Sequence, residues 1–242
     1  MTGCGRDLER ASVVACVVVA AGKGERFGHG GKVLAACAGH PLLAWSLDAL
    51  ETASSVRDVV VVFGNHTEDE VRTLIVGGRW TKVAAIVPGG ANRHASVRAG
   101  IDALAPDVEV VLVHDAARPL AEPVHFDAVA GVAGDSGAAI LATPVADTLK
   151  RVTEGTIEAT VPRVGMWAAQ TPQGFRLAEY REALARTTGH EDEFTDDASM
   201  FEVLGWPVRI VPGSRSNLKV TVPEDLVLVE ALLKTRRVEE SR

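Results

Sequence analysis

The sequence holds no surplus of positive charge. Lysine and arginine number 25 against 32 aspartates and glutamates, a net charge of −7. Nucleic-acid-binding surfaces are more often basic, so this balance speaks against a polynucleotide partner while leaving room for a local basic cleft. Cysteine is scarce. Cys4, Cys16 and Cys37 are odd in number, and their spacing fits neither a zinc site nor C-x-x-C. No disulfide framework follows, which suits a reducing compartment. Cys16 lies in an apolar run and reads as a small buried hydrophobe. No uncharged apolar stretch reaches the roughly 18 residues of a membrane-spanning helix. Aromatics make up 5% of the chain while glycine, alanine and valine abound. That is a composition bias with no function attached. No repeat, low-complexity segment or linker divides the 242 residues, enough for one large core.

The N-terminus superficially resembles a secretory signal, because Arg6 and Arg10 precede the apolar stretch Ala11 to Ala21. Asp7 and Glu9 spoil its positive region, and cleavage there would remove the strand that launches the loop described next. The expectation is a cytoplasmic protein with a short frayed leader over 1–11.

The organising stretch is 17–32, VVVAAGKGERFGHGGK. An apolar β-branched run breaks at Ala20-Ala21-Gly22 into a loop carrying Gly22, Gly24, Gly28, Arg26 and Lys32. Glycine lets backbone N–H groups approach phosphate oxygens, and the two cations supply countercharge. The loop fails the two commonest templates. Phe27 stands where a dinucleotide fingerprint has its third glycine, and Val33 where a Walker A loop has Ser or Thr. Taken alone it fits an ordinary strand-to-helix turn as well as a phosphate loop.

The rest of the first half alternates strand and helix. Periodicity predicts helices over 41–53, 68–76 and 92–104 and strands over 57–63, 83–87 and 109–113. Five alternations within about 115 residues imply a doubly wound, mostly parallel sheet. In such sheets ligands bind beyond the carboxyl ends of strands, where Gly22–Lys32, Gly89–Ser96 and Asp115–Arg118 all fall. After Gly137 comes an apolar run to Pro144. Residues 147–162 then alternate around Glu154-Gly155 as an exposed β-hairpin. A lone hairpin is marginal, so it needs either a second copy of the chain or its own sheet to lean on. Helices over 176–186, 196–204 and 224–234 and a strand over 207–211 complete the pattern.

The strand ends gather Arg26, Lys32, Arg93, Arg118, Arg163 and Lys219 as cations, with Asp115 as the acid. Several cations and one acid around a glycine loop suit phosphoryl or nucleotidyl transfer, where catalysis is positioning and electrostatics. Asp115 could hold a divalent metal bridging phosphates. No Ser/His/Asp triad or carboxylate pair competes. His114 and Asp115 are neighbours on a strand and face opposite ways, so His114 reads as structural. The other histidines show no ligand spacing, and Arg93 and Arg98 by themselves read as solvated helix charges. The run Glu191 to Glu193 reads as a solvated loop.

The stretches AAGKGERFG (20–28), Lys32, GGANRHASV (89–97), VLVHDAARP (111–119), PVADTLKR (144–151), VPRVGMWAAQTPQGF (161–175), TDDAS (195–199) and NLKVTVPEDL (217–226) together resemble the 2-C-methyl-D-erythritol 4-phosphate cytidylyltransferases of the non-mevalonate isoprenoid pathway. The resemblance runs from about residue 14 to 236. It implies a single Rossmann-like α/β domain over 12–236 with flexible tails at 1–11 and 237–242. It also implies a protruding β-arm near 144–163 that makes a homodimer. The implied reaction is CTP plus methylerythritol 4-phosphate giving the CDP-linked alcohol and pyrophosphate, with Mg²⁺. Arg26, Lys32 and Lys219 would hold the triphosphate and stabilise the pentacoordinate phosphorus. Ala20, Ala21, Gly22 and Gly24 would line the nucleotide, and Gly90 and Ser96 would read cytosine. Asp115 would contact the metal or substrate hydroxyls. Arg118, Arg163 and Thr171 would face the acceptor phosphate, and Thr195 would reach the neighbouring subunit's substrate. Gly30-Gly31 replaces the family's frequent Cys-Pro before the loop lysine, and Ala91-Asn92 replaces an acid after the glycine pair. Two other readings stay in view: a cytidylyltransferase for another alditol phosphate such as ribitol 5-phosphate, and a nucleotide-binding module without transferase activity.

Overall fold

A computed structural model describes residues 12–22, 24, 27, 31–190 and 193–240. Arg26, Gly28, Glu191, the 1–11 leader and most of the 25–31 loop therefore lie outside the described residues.

Seven strands form the central sheet: β1 (Val14–Ala20), β4 (Val56–Phe63), β5 (Val83–Pro88), β6 (Val110–Asp115), β7 (Ala138–Pro144), β10 (Trp167–Arg176) and β11 (Arg209–Pro212). Their order is β11-β7-β10-β6-β1-β4-β5. All neighbours are parallel except β10, which runs antiparallel to both β6 and β7. The chain moves outward from β1 to β4 and β5, then returns to place β6 on β1's other side. That reversal opens a crevice at the carboxyl ends of β1 and β6.

The apolar strands read as continuous runs because helices cover both faces. Along β1, Cys16 and Val18 pack with Leu43 and Leu47 of α1 (Leu42–Thr52) and with Phe126 and Val129 of α4 (Pro123–Ser136). The alternate residues Ala15 and Val17 pack with Val97 and Ile101 of α3 (Arg93–Asp102), Tyr180 of α5 (Leu177–Arg186) and Phe201 of α6 (Ala198–Val203). α2 (Glu68–Gly77) lies beside β5. A third cluster joins Cys37, Leu42, Leu120 and Val220 to Val229 and Leu233 of α7 (Pro223–Glu240). Cys37 belongs to a two-stranded ladder of β2 (Ala36–Cys37) and β3 (His40–Pro41).

Two elements were not expected from the sequence. α4 is built from small residues, including Gly131 and Gly134, and lacks a strong apolar stripe. β10 starts exposed and contains Pro172 and Gly174, features that weaken a strand reading. The hairpin expected over 147–162 is present as β8 (Leu149–Thr153) and β9 (Thr156–Val161). Glu154 and Gly155 turn it with φ of 49° and 78°, as a two-residue primed turn requires. Its strands pair only with each other among the described residues. Val152 and Ile157 are 52% and 60% exposed, so its apolar residues are not covered within the chain.

Gly100 shows how closely α3 lies on the sheet. A Cβ there would come 2.4 Å from Val17 Cγ1 and 2.9 Å from Val62 Cγ2. Alanine is the better helix former by about 1 kcal/mol, but overpacking two buried valines costs about 1–3 kcal/mol. Gly100→Ala is therefore expected to lower stability in urea unfolding. A neutral or stabilising result would mean that α3 shifts freely on the sheet.

Candidate active site

The switch-point crevice is a cleft of ≈ 620 Å³. Its floor is the loop after β1, with Ala21, Gly22 and Gly24. Ala20 ends the strand beneath and is itself buried. One wall is the loop after β5. There Gly89 passes between Ala21 and α3 so closely that a Cβ would lie 2.4 Å from Ala21 Cβ and 2.8 Å from Ser96 Oγ. The Ser96 hydroxyl accepts the Gly90 N–H at 3.1 Å and donates to the Asn92 carbonyl at 2.9 Å. Asn92 caps α3 by accepting the Ala95 N–H at 2.8 Å. Ser96 thus holds the Gly90 loop in place, and what this wall offers a ligand is mainly backbone.

The opposite wall is charged. Asp115 ends β6 and is 7% exposed. Its Oδ2 lies 2.6 Å from Lys219 Nζ, and its Oδ1 lies 3.5 Å from Arg93 Nε. Burial works against the carboxylate, but Arg93, Lys219 and Arg118 outweigh it and hold the carboxyl well below the usual range. Arg93 pairs also with Asp197 at 2.7 Å, so it is not the solvated helix charge that its position suggests. Burial opposes its charge too, yet the two carboxylates overcome this and keep the guanidinium protonated.

The segment bearing Lys219 is laced down from several sides. Lys32 Nζ donates to the Val220 carbonyl at 2.9 Å, and the Val220 N–H donates to Ala117 at 2.8 Å. Arg118 donates to the carbonyls of Asn217 at 2.8 Å and Ala169 at 3.4 Å. Asn217 Nδ2 donates to the Thr171 carbonyl at 3.0 Å. Lys32 and Lys219, 187 positions apart in the sequence, thereby line one cleft.

Thr171 lies beneath the acid. Because β10 is antiparallel, with Gln173 opposite Val113, its early residues approach the end of β6. The Thr171 hydroxyl accepts the Asp115 N–H at 3.0 Å and pairs with His114 Nδ1 at 3.1 Å. His114 is fully buried with its ring edge on Phe126. Burial depresses it to about 3 despite Asp115 nearby, so it is neutral and structural as its position on the strand implies.

The cleft lining thus brings together Ala21, Gly22, Gly24, Lys32, Gly90, Ser96, Asp115 and Lys219. Arg118 and Thr171 lie next to it with their polar groups turned to the protein. Arg163 and Thr195 are not among the lining residues. Arg163 is exposed, bonds the Ala146 carbonyl, and lines a separate ≈ 470 Å³ hollow at the hairpin's foot with Arg215, Met166 and Trp167. Thr195 is exposed before α6. Arg26 lies outside the described residues. Among the described residues no three His, Cys, Asp or Glu side chains cluster as a metal cage. Asp197, Tyr180 and Gln173 were missed by the sequence reading. The adjacent acids in TDDAS were the available signal, but only burial shows which of them turns inward.

The model of the family "IspD: 2-C-methyl-D-erythritol 4-phosphate cytidylyltransferase" matches residues 14–235. The chain belongs to this family. A cytidylyltransferase of that name from Pelotomaculum thermopropionicum is 44% identical over 93% of this chain and 95% of its own length. One from Frankia casuarinae is 44% identical over 96% of this chain and 85% of its own. The crystal structure of the Thermus thermophilus cytidylyltransferase aligns at 34% identity and a TM-score of 0.75, covering 92% of this chain and 99% of that one. The 4-diphosphocytidyl-2C-methyl-D-erythritol synthase from Anaerococcus prevotii aligns at 26% identity and a TM-score of 0.81, covering 93% and 97%.

The Thr171 hydroxyl offers a direct test of how this family member supports its acid. Thr171→Val keeps shape but strands the buried Asp115 N–H, which should cost about 1–3 kcal/mol in chemical denaturation. An unchanged midpoint would show that Asp115 does not depend on this strut.

Proposed function

We propose that this chain transfers CMP from CTP to 2-C-methyl-D-erythritol 4-phosphate and releases pyrophosphate. The observation that carries the reading is the placing of Lys32 and Lys219 on one glycine-floored cleft at the sheet's switch point, with Asp115 between Lys219 and Arg93. Asp115 and Asp197 offset only part of the charge of Lys32, Lys219, Arg93 and Arg118, and a triphosphate would neutralise the rest. Membership of the cytidylyltransferase family supports the nucleotide and the acceptor.

The acceptor phosphate is the nucleophile. Its second pKa is about 6, so it is already charged at neutral pH and no strong general base is needed. Attack in line on the α-phosphorus forms a P–O bond as the bond to pyrophosphate breaks. Lys32 and Lys219 bind the triphosphate and stabilise charge that spreads over the α-phosphoryl oxygens. We assign Arg26 to the same task from its place in the loop. The walls built by Gly89, Gly90 and Ser96 leave room for a small base, and their backbone groups read cytosine.

Magnesium usually takes one or two carboxylates and completes its shell with phosphates and water. Asp115 is one carboxylate in the cleft and fits an ion carried in on the triphosphate rather than a protein cage. When bound, Mg²⁺ supplies further charge neutralisation at the phosphates.

The acceptor side is assigned to a homodimer built through the arm at 144–163. Exposed Val152 and Ile157 on the hairpin support this, as do the positions of Arg163 and Thr195 outside one chain's cleft. In this arrangement Arg163 binds the acceptor phosphate and Thr195 reaches the partner's substrate. Arg118 and Thr171 act on that side chiefly by holding Lys219 and Asp115. The free, buried Cys16 and Cys37 accord with a cytoplasmic enzyme.

The deciding experiment is pyrophosphate release from CTP and Mg²⁺, with methylerythritol 4-phosphate and ribitol 5-phosphate compared and ATP, GTP and UTP as controls. Release with CTP and methylerythritol phosphate alone is expected. Release with ribitol phosphate alone would move the substrate to the other alditol, and nucleotide binding without release would overturn transfer altogether. In the same assay Lys219→Ala should lose about 10²–10³ in turnover and, because it takes a partner from buried Asp115, some stability as well. Mixed dimers of Thr195→Ala and Arg163→Ala chains should regain part of the activity that either parent lacks, and absence of rescue would count against a shared site.

A further inference from the structure

An ion pair between half-buried Arg93 and buried Asp197 joins the first turn of α3 to the start of α6, and the transfer reaction makes no use of it. Asp197 is 1% exposed. Its Oδ1 accepts the Tyr180 hydroxyl at 2.6 Å, and its backbone N–H donates to Gln173 Oε1 at 3.1 Å. Gln173 Nε2 in turn donates to Asp196 Oδ2 at 2.8 Å. Asp197 is thus clamped by α5 and β10, and its Oδ2 faces Arg93 Nη2 at 2.7 Å.

Arg93 also reaches the other way. Its Nε lies 3.5 Å from Asp115 Oδ1, while Asp115 Oδ2 holds Lys219 Nζ at 2.6 Å. The two distances from Arg93 are unequal. The guanidinium is bound to Asp197 and only approaches Asp115. A guanidinium moved closer to Asp115 would cancel part of the attraction that the carboxylate exerts on Lys219.

We propose that Asp197 is a positioning residue for nucleotidyl transfer: it holds Arg93 back from Asp115, so that Asp115 keeps its charge for orienting Lys219 in the cleft. This rests on the transfer reading above. A merely structural ion pair would need no partner lining the cleft, whereas Arg93 and Asp115 both line it. Removing one member of a buried pair strands the other, so stability and turnover should respond differently to the two ends.

Asp197→Asn keeps the acceptor for Tyr180 and the backbone bond to Gln173 but loses the charge. It should lower kcat by at least about tenfold while the KM for methylerythritol phosphate stays within about threefold. Arg93→Gln strands Asp197 and should lower Tm. The double variant should regain Tm and, with no Arg93 left to approach Asp115, should recover kcat and slower Lys219 labelling relative to Asp197→Asn. A second readout needs no turnover. In the nucleotide-free protein, acetic anhydride labelling of Lys219, followed by peptide mass mapping, should be faster in Asp197→Asn than in the wild type. If Asp197→Asn fails to fold, Tyr180→Phe loosens the same carboxylate and should shift kcat and labelling in the same direction.

Wild-type kcat together with wild-type labelling in the folded variant would overturn the proposal. So would a double variant that regains Tm while kcat and labelling stay at the Asp197→Asn values, since the loss would then not pass through Arg93. A wild-type protein that releases no pyrophosphate would sink the transfer reading, and the labelling rates alone would then decide the role of Asp197.

Discussion

Asp115 is where the sheet, the cleft and the late part of the chain meet. Its backbone ends β6 and bonds to Thr171 on the one antiparallel central strand. Its side chain takes Lys219 at 2.6 Å and draws Arg93 from α3. A carboxylate this deeply buried would be costly to keep charged without such neighbours. The cations in turn would repel one another without it. Each group makes the others tolerable, so the electrostatics of the cleft stand or fall together.

That mutual dependence explains why so much hydrogen bonding is spent away from the cleft itself. Arg118, Asn217 and Lys32 use their donors on carbonyls of the 217–220 segment and its neighbours. Their effect is to fix a stretch that has no regular secondary structure and carries Lys219. α7 then covers the same segment, through Val229 and Leu233 packed on Val220 and Leu42. Rigid support of this kind is what preorganised charge stabilisation requires. By contrast, the β8–β9 hairpin and the hollow beside Arg163 are open to solvent within one chain. In the proposed reading, the nucleotide side of the cleft is built from one protomer's core, and the acceptor side calls on a second protomer.

Much of this was legible from residue pattern. The apolar runs of β1, β4 and β6 and the helical spacing in α1 and α3 announced a parallel sheet covered on both faces. Gly22, Gly24, Gly90 and Asp115 all fell at strand ends, and the structure puts them in one cleft. α4 was illegible because small residues give a helix no stripe to read. β10 was illegible because its alternation is interrupted by proline and glycine, and because exposed Trp167 and buried Phe175 belong to one strand. Those two omissions matter. Without an antiparallel β10 there is no reason for Thr171 to lie under Asp115.

The sequence by itself determined the alternation of elements, the position of the glycine-rich loop and the family, because these depend on local pattern and on residues that recur in fixed order. Only the tertiary structure decided how the charges pair. Arg93 looks like a solvated helix residue until Asp197 comes within 2.7 Å. Lys219 looks like one lysine in a loop until Asp115 comes within 2.6 Å. The physical reason is that ion pairing depends on distance and burial, and both are set by packing between segments a hundred residues apart, about which no local stretch of chain carries information.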